Sequence, residues 1–473
     1  MELYRQVAIE VKRLIEQGAL RAGERVPSVR KLSRQQKVSV STVLQAYLLL
    51  ENGGLIEARP QSGYYVRTRA RALPPEPVMS SPSGTATSVE KGELIVDLFK
   101  AETTPGTVRL GCAYTGPSLF PVAGLNRAMV RVMKQLGDDA NSYELPPGNL
   151  NLRRQIARRS LELGRSLDPN GIVITVGGME ALNLCLRAVA RAGDTVAIES
   201  PTYFGILQVL ESMGMKALEI PTHPREGISL DALAVAVRKN KIRAVISMTN
   251  GHNPLGSYMP DEKKKQLVAL LARVDVPLIE DDVYGDLYFG ERRPRTAWSY
   301  DRKGLVLLCS SFSKSLSPGY RVGWTVPGPR FQARVENLKF MSTIATATLP
   351  QAAVAEFLSD GGYERHLRRI RRTLATQVEL LTDGIQKHFP AGTRVTRPQG
   401  GFVVWVEMPR ALDAFELRKR ALKEKISIAP GPIFSAKEKY RNFIRLNCGL
   451  PWTSEVERAV ITIGQLARDM AKK

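Results

Sequence analysis

Cysteine, histidine and aromatic residues are scarce in this 473-residue chain, which has four cysteines, four histidines and 7% Phe, Tyr and Trp. Cys112, Cys185, Cys309 and Cys448 are scattered and none stands in CxxC spacing. Neither a disulfide framework nor a zinc site is indicated, and no metal is expected. No apolar run reaches the roughly 18 residues of a membrane span. The opening MELYRQVAIEVKRLIEQG mixes charges with apolar residues and has neither an h-region nor a small-residue cleavage site. These absences predict a cytoplasmic chain with no membrane partner. Acidic residues are also short: 46 Asp and Glu stand against 68 Lys and Arg, a formal net charge of +22. Such an excess attracts polyanions, nucleic acid first among them, although a merely basic enzyme would carry it too.

The remaining composition, 43% hydrophobic and 24% charged, is that of a globular protein, and the length suggests two or three folding units. Leu3, Val7, Val11 and Leu14 recur at helical spacing before Gly18, where a C-cap glycine would end a first helix. Ser28 can cap a second helix through Arg34. Ser39 can cap a third, whose Val40, Val43, Tyr47 and Leu50 share a face before Asn52-Gly53-Gly54. Residues 55–66, LIEARPQSGYYV, read as two strands around a turn, a wing. Helix, tight turn and helix is the arrangement that lays a recognition helix in the DNA major groove. Ser41, Thr42 and Gln45 then face bases from a helix that Ser39 begins, while Arg30, Lys31 and Arg59 meet phosphates or enter the minor groove. The run PSVRKLSRQQKVSVSTVLQAYLLLENGGLIEARPQSGYYV resembles the winged helix-turn-helix domain of GntR-family regulators from end to end. Many relatives have a basic residue where this chain has Val40, a departure at the start of the reading helix.

Residues 1–68 are thus read as the DNA-binding domain. Residues 69–92, rich in Pro, Ser, Thr and Ala without apolar periodicity, are read as a linker. An extended linker of about twenty residues reaches on the order of 60 Å, enough to pass between the subunits of a domain-swapped homodimer.

From residue 93 to 473, short β-branched runs alternate with helical patterns, which predicts an α/β domain with a mainly parallel sheet. The runs at 172–175, 195–198, 244–247, 277–280 and 305–308 are each followed by chemically distinctive residues. These are Gly177-Gly178, Pro201-Thr202-Tyr203, Asn250 to Pro254, Asp281 to Tyr284, and Ser311-Phe312-Ser313-Lys314. Ligands bind beyond the carboxyl ends of such strands, so the five clusters are expected to converge. Gly177 and Gly178 open a helix, with Met179 next, and can offer free N–H groups to a phosphate. Ser311, Ser313 and Arg321 are further phosphate ligands. Asp281 suits a pyridine nitrogen, Asn253 and Tyr284 a phenolic oxygen, and Tyr203 a ring face. Arg445 in FIRLN can fork onto a carboxylate. The basic run Arg365, Arg368, Arg369, Arg371 and Arg372 is read as a solvated helix face.

Together these residues resemble fold-type I pyridoxal-phosphate enzymes of the aspartate aminotransferase superfamily, over residues from about 95 onward with a smaller α+β lobe from about 350. The resemblance implies pyridoxal phosphate as cofactor, Lys314 as its Schiff-base lysine, Asp281 at the ring nitrogen and Arg445 on a substrate carboxylate. It also implies that Tyr143, in NSYELPPGNLNLRRQIA, reaches the phosphate of a neighbouring subunit. Met179 replaces a hydroxyl residue common in relatives, which removes one phosphate hydrogen bond. The combination with a winged helix resembles the MocR subfamily of GntR regulators. It implies a regulator that binds an operator and senses a small amine or amino acid as an external aldimine. An active aminotransferase carrying a DNA-binding appendage is the alternative, since both begin with the same exchange at Lys314.

Overall fold

A computed structural model of the chain describes residues 3–21, 23–52, 54–59, 62–66 and 74–472. Two compact units meet in sequence between Pro74 and Pro75.

The first unit is built from helices α1 (Leu3–Glu16), α2 (Val29–Gln36) and α3 (Val40–Asn52), followed by strands β1 (Ile56–Arg59) and β2 (Gly63–Val66). The strands pair antiparallel with Ile56 opposite Val66; Pro60 and Gln61, in the wing's turn, lie outside the described residues. Ser28 Oγ accepts the Lys31 N–H at 3.3 Å and so starts α2, which runs past Arg34 until Lys37 takes a left-handed φ of 53°. Val7, Val11, Leu32, Val43, Tyr47, Leu50 and Ile56 form its core. The buried Tyr47 hydroxyl donates to the Pro27 carbonyl at 2.6 Å, which fixes α3 against the turn before α2.

The second unit begins where a linker was expected to continue. From residue 75 the chain is part of this unit: Pro75 O accepts from Val395 N, Ser80 Oγ donates to Ser200 O at 2.5 Å, and Lys437 Nζ reaches Ser83 Oγ at 2.6 Å. The segment ends in β3 (Thr87–Ser88), so the expected linker boundary at residue 92 moves back to Pro74. The main sheet continues with β4 (Val173–Val176), β5 (Thr195–Ser200), β6 (Lys216–His223), β7 (Ile242–Ser247), β8 (Leu278–Asp281), β9 (Val306–Ser311) and β10 (Val322–Val326). Its spatial order is β3-β6-β5-β7-β8-β9-β10-β4, with the short strand Gly227–Ile228 added antiparallel to β6. The pairings among β6, β5, β7, β8 and β9 are parallel; β3, β10 and β4 join antiparallel. Both faces are covered. Ala197, Val245, Leu278 and Leu308 enter one apolar layer, and Val196, Ile198, Ile246, Ile279 and Leu307 the other, as the period of two demands of a sheet buried on both sides.

Helix α4 (Gly177–Val189) leaves β4, and the long α5 (Gly362–His388) leads toward α6 (Ser454–Ala471) in the small lobe. There a four-stranded antiparallel sheet orders Arg394–Val395, Val403–Glu407, Phe443–Asn447 and Ala429–Pro430. The basic face expected on α5 is only partly solvated: Arg369 Nη2 donates to Leu119 O at 3.0 Å and Arg371 Nε to Asp286 O at 2.7 Å. All four cysteines are buried free thiols. Among the described residues no helix is long and apolar enough to cross a membrane, and no cluster of His, Cys, Asp and Glu is placed to hold a metal.

Candidate functional site

A cavity of about 170 Å³ opens at the carboxyl ends of the parallel strands. Gly178, Met179, Tyr203, Asn253, Asp281, Tyr284, Ser311, Ser313, Lys314 and Arg321 all line it, so residues spread over more than 140 positions of sequence meet there. Leu182, Met248 and Val283, which sequence reasoning did not single out, complete the wall.

One end of the cavity suits an anion. Gly177 takes φ +76°, and a Cβ there would fall 2.6 Å from Arg321 Nη2; the position is bare because Arg321 folds over the start of α4. Gly323 in β10 is equally constrained, since its Cβ would strike the Gly177 backbone at 2.4 Å. Ser311 Oγ accepts the Ser313 N–H at 3.0 Å, and Arg321 Nη1 stands 3.4 Å from Ser313 Oγ. The acid in the first turn of α4, Glu180, is committed elsewhere, taking Val176 N at 2.6 Å and Lys339 Nζ at 2.8 Å. The N–H groups at the start of α4, the Ser311 and Ser313 hydroxyls and the Arg321 guanidinium gather there for a phosphate; Ser311 Oγ also donates to Val322 O at 3.1 Å and Arg321 Nη2 to Val176 O at 3.3 Å.

Asp281 ends β8 and is 3% exposed. Burial raises its pKa to about 7 despite a hydrogen bond from Val283 N at 3.1 Å. A cationic partner would restore its charge. The Tyr284 hydroxyl is buried and lacks a hydrogen-bond partner, as expected of a group held for a ligand. Tyr203 packs at 4.8 Å against Phe204, and burial raises its phenol to about 12.

Lys314 lies on the turn after β9. Burial, followed by the nearby Arg445, lowers its amine to about 8, and Nζ donates to the Ala113 carbonyl at 2.6 Å. Arg445 is fully buried in the small-lobe strand Phe443–Asn447 and does not line the cavity directly. Its Nη1 donates to Asn253 Oδ1 at 3.1 Å, its Nη2 donates to the Gly111 carbonyl, and Nε has no partner. Asn253 therefore joins the cavity wall to the arginine. The segment 111–113, which supplies both carbonyl acceptors, was missed in the sequence; its Gly111 and the following Gly116-Pro117 were the available signal. Tyr143, 77% exposed, stands apart from the cavity wall.

In the first unit, Ser39 Oγ accepts the Thr42 N–H at 3.1 Å, the expected cap. Its hydroxyl also meets Ser41 Oγ at 2.8 Å and Thr42 Oγ1 at 2.7 Å, so both side chains are tied to the cap, and Thr42 is half-buried. Val40, Ser41, Leu44 and Gln45 are the exposed positions at the start of α3, with Leu44 an addition to the sequence-based set. Arg30 and Lys31 are exposed. Arg59 is not a free cation: it pairs with Glu57 at 2.9 Å and stacks 4.3 Å over the Tyr65 ring.

The fold and the cavity find counterparts among known proteins. Residues 117–463 match the family described as aminotransferase class I and II, and residues 3–66 match the bacterial regulatory proteins of the gntR family. The chain is 41% identical to the HTH-type transcriptional regulator YdcR of Escherichia coli, over 99% of this chain and 100% of the relative. It is 31% identical to the 2-aminoadipate transaminase of Thermus thermophilus, over 75% of this chain and 88% of that enzyme. The crystal structure of LysN, an alpha-aminoadipate aminotransferase from Thermus thermophilus complexed with N-(5'-phosphopyridoxyl)-L-leucine, superposes with a TM-score of 0.74 at 29% identity, covering 80% of this chain and 95% of that one. The pyridoxal phosphate that this family implies fits the residues present: an orphaned phenol, a bare glycine cradle beside Arg321 and a buried lysine of lowered pKa share one cavity.

Proposed function

The chain belongs to the aminotransferase class I and II family with a gntR-family domain at its front, and on that premise we propose that this pyridoxal-phosphate-dependent, DNA-binding transcription regulator senses a small amine or amino acid at Lys314. When bound, pyridoxal phosphate supplies an aldehyde carbon conjugated to an electron-withdrawing pyridine. Gly177, Gly178, Ser311, Ser313 and Arg321 hold its phosphate, joined by Tyr143 from a second copy in a homodimer; Met179 contributes no hydroxyl. Asp281 holds a proton at the ring nitrogen, Asn253 and Tyr284 bind the phenolic oxygen, and Tyr203 covers the ring. Lys314 is the covalent anchor, and its lowered pKa keeps a useful fraction of neutral amine near neutral pH. Arg445 takes the carboxylate of an amino acid. The regulator acts where its operator is, in the cytoplasm.

One observation carries the sensing reading. Lys314 and Arg445 both rest on main-chain carbonyls of a single short segment, Ala113 O and Gly111 O. An amino acid that displaces Lys314 from the cofactor frees its amine for Ala113 O and draws Arg445 away from Gly111 O, so the donors to that segment change, and only such a difference in contacts can shift a conformational equilibrium. The test screens amines and amino acids against the holo-protein while following the visible chromophore, keto-acid release and operator affinity together. A compound that changes the chromophore and the operator affinity with slow keto-acid release supports sensing. Rapid multiple turnover with unchanged operator affinity would replace it with an aminotransferase carrying a DNA anchor.

A further inference from the structure

The turn that carries Lys314 is gripped from behind by the first turns of α5. Tyr363 shares its hydroxyl between Ser315 Oγ at 2.6 Å and the Asp286 carboxylate at 3.0 Å. Further along the helix, His366 Nε2 lies 2.7 Å from the Ser315 carbonyl oxygen. Arg369 Nη2 then reaches both the Leu119 carbonyl at 3.0 Å and His366 Nδ1 at 3.5 Å. A guanidinium only donates, so Nδ1 accepts and the imidazole proton sits on Nε2, facing Ser315. Burial and Arg369 lower the His366 pKa to about 4, which keeps this one tautomer at neutral pH.

Ser315 and Leu119 belong to the two segments that meet at Lys314. The first is the turn bearing Lys314. The second runs on from Ala113, whose carbonyl accepts the Lys314 amine, and Thr115 Oγ1 stands 3.5 Å from the Lys314 carbonyl. One end of α5 thus holds the residue after Lys314 and the segment that runs on from its acceptor, Ala113. The other end is embedded in the small lobe: a Cβ at Gly464 of α6 would lie 2.5 Å from the His388 carbonyl, and one at Gly384 2.9 Å from Val460. Neither Tyr363, 1% exposed, nor His366, 4% exposed, touches the cavity. Packing alone does not need their polar atoms, because Phe and Leu would fill the same space.

We propose that Tyr363, His366 and Arg369 are positioning residues for Lys314, through which the placement of α5 and the small lobe sets where Lys314 Nζ stands, as a free amine and as the anchor of the cofactor alike. The proposal extends the reading of Lys314 as the sensing amine and rests on it for its biological meaning, but its test does not. The groups whose charges face Lys314 are Arg445, Cys112, Asp281 and Arg321, and the substitutions below leave them in place.

The experiment titrates the visible band of the full-length holo-protein with pH, without added amine, for the wild type, His366→Leu, His366→Gln and Tyr363→Phe, beside thermal melts. A glutamine amide can place a donor near His366 Nε2 and leucine cannot. His366→Leu is expected to move the midpoint by about half a pH unit or more, the size of one hydrogen bond expressed in the proton equilibrium at the cofactor-linked Lys314 nitrogen, with His366→Gln returning most of the way. Tyr363→Phe removes one oxygen while keeping the ring that packs 5.9 Å from Phe312, so it tests the same point should the leucine variant not fold. A wild-type midpoint in both His366→Leu and Tyr363→Phe, with melting temperature alone reduced, would overturn the proposal; so would a midpoint in His366→Gln displaced as far as in His366→Leu. If the midpoint moves as expected while no amine alters operator affinity of the wild type, positioning stands and the sensing reading falls.

Discussion

Removing the cofactor should expose Lys314 as a lysine far more acidic than an ordinary one. Its amine is lowered from 10.5 to about 8, first by burial and second by the nearby Arg445. At pH 7.5 an amine of pKa 8 is neutral in about one molecule in four, against about one in a thousand for an unperturbed lysine, a difference of roughly 200-fold. The sign sets the shape of the curve. Neutral Lys314 rises about tenfold per pH unit up to 8 and then levels off, whereas ordinary lysines climb on toward 10. Its relative reactivity is therefore greatest below pH 8 and shrinks above it. The assay is trace acylation of the cofactor-free protein across pH, with each lysine quantified by mass spectrometry. Lys265 serves as an internal reference, because Glu262 raises its pKa. Confinement in the cavity scales the Lys314 rate at every pH alike, so the midpoint is the diagnostic. Arg445→Gln should move that midpoint upward but short of 10.5, since burial remains. A wild-type midpoint near 10, or a downward shift in Arg445→Gln, would refute the electrostatic reasoning.

Two further outcomes follow from the surface residues. If Arg30 neutralises one phosphate, Arg30→Ala should reduce the slope of log affinity against log salt by about 0.9, and Arg59→Ala should reduce it less because Glu57 already pairs with Arg59; equal slopes for the wild type and Arg30→Ala would remove Arg30 from the DNA contact. If Tyr143 completes the phosphate site of a second copy, mixing Tyr143→Ala with Lys314→Ala chains should give heterodimers in which one of the two sites has both residues intact. Sedimentation of the holo-protein as a monomer would exclude that arrangement.

The five strand ends were legible because each joins an apolar run to a polar cluster, and all five runs appear as strands within two or three residues of their expected limits. Two central features were less visible. Lys216–His223 contains Pro221 and mixes polar with apolar residues, and Val322–Val326 contains Gly323, which is there to let β10 approach Gly177. The segment from Pro75 to Ser88 misled for a different reason. Its Pro, Ser and Thr content reports the lack of an apolar face, which does not exclude polar partners. Ser80, Ser83 and Thr85 bond to the unit they cross, and Thr87–Ser88 covers the edge of β6. Arg445 was found by residue type and strand position, whereas its ties to Gly111 and Asn253 depend on a fold that brings together residues 192 and 334 positions apart.

Those ties bear on which effectors can switch the protein. A carboxylate that forks onto Arg445 gains charge-assisted hydrogen bonds of about 1.5–3 kcal/mol each, but it displaces the bonds to Gly111 O and Asn253 Oδ1, so only the difference is available. A useful coupling between two sites requires about 1–3 kcal/mol, which a surplus of one charge-assisted hydrogen bond supplies. A simple amine releases Lys314 from the cofactor, which frees its amine for Ala113 O, and leaves Arg445 bound as before, so it draws on half of the mechanism. An amino acid should therefore change operator affinity more than the amine formed by its decarboxylation, at saturating concentrations of both, by about 5-fold to 100-fold. In Arg445→Gln the two compounds should become equivalent. The measurement is operator affinity for the wild type and the variant with each compound of the pair, beside the chromophore change that certifies amine exchange. Equal shifts by amine and amino acid in the wild type would show that the released Lys314 alone sets the conformation, and that the buried guanidinium serves affinity without taking part in the switch.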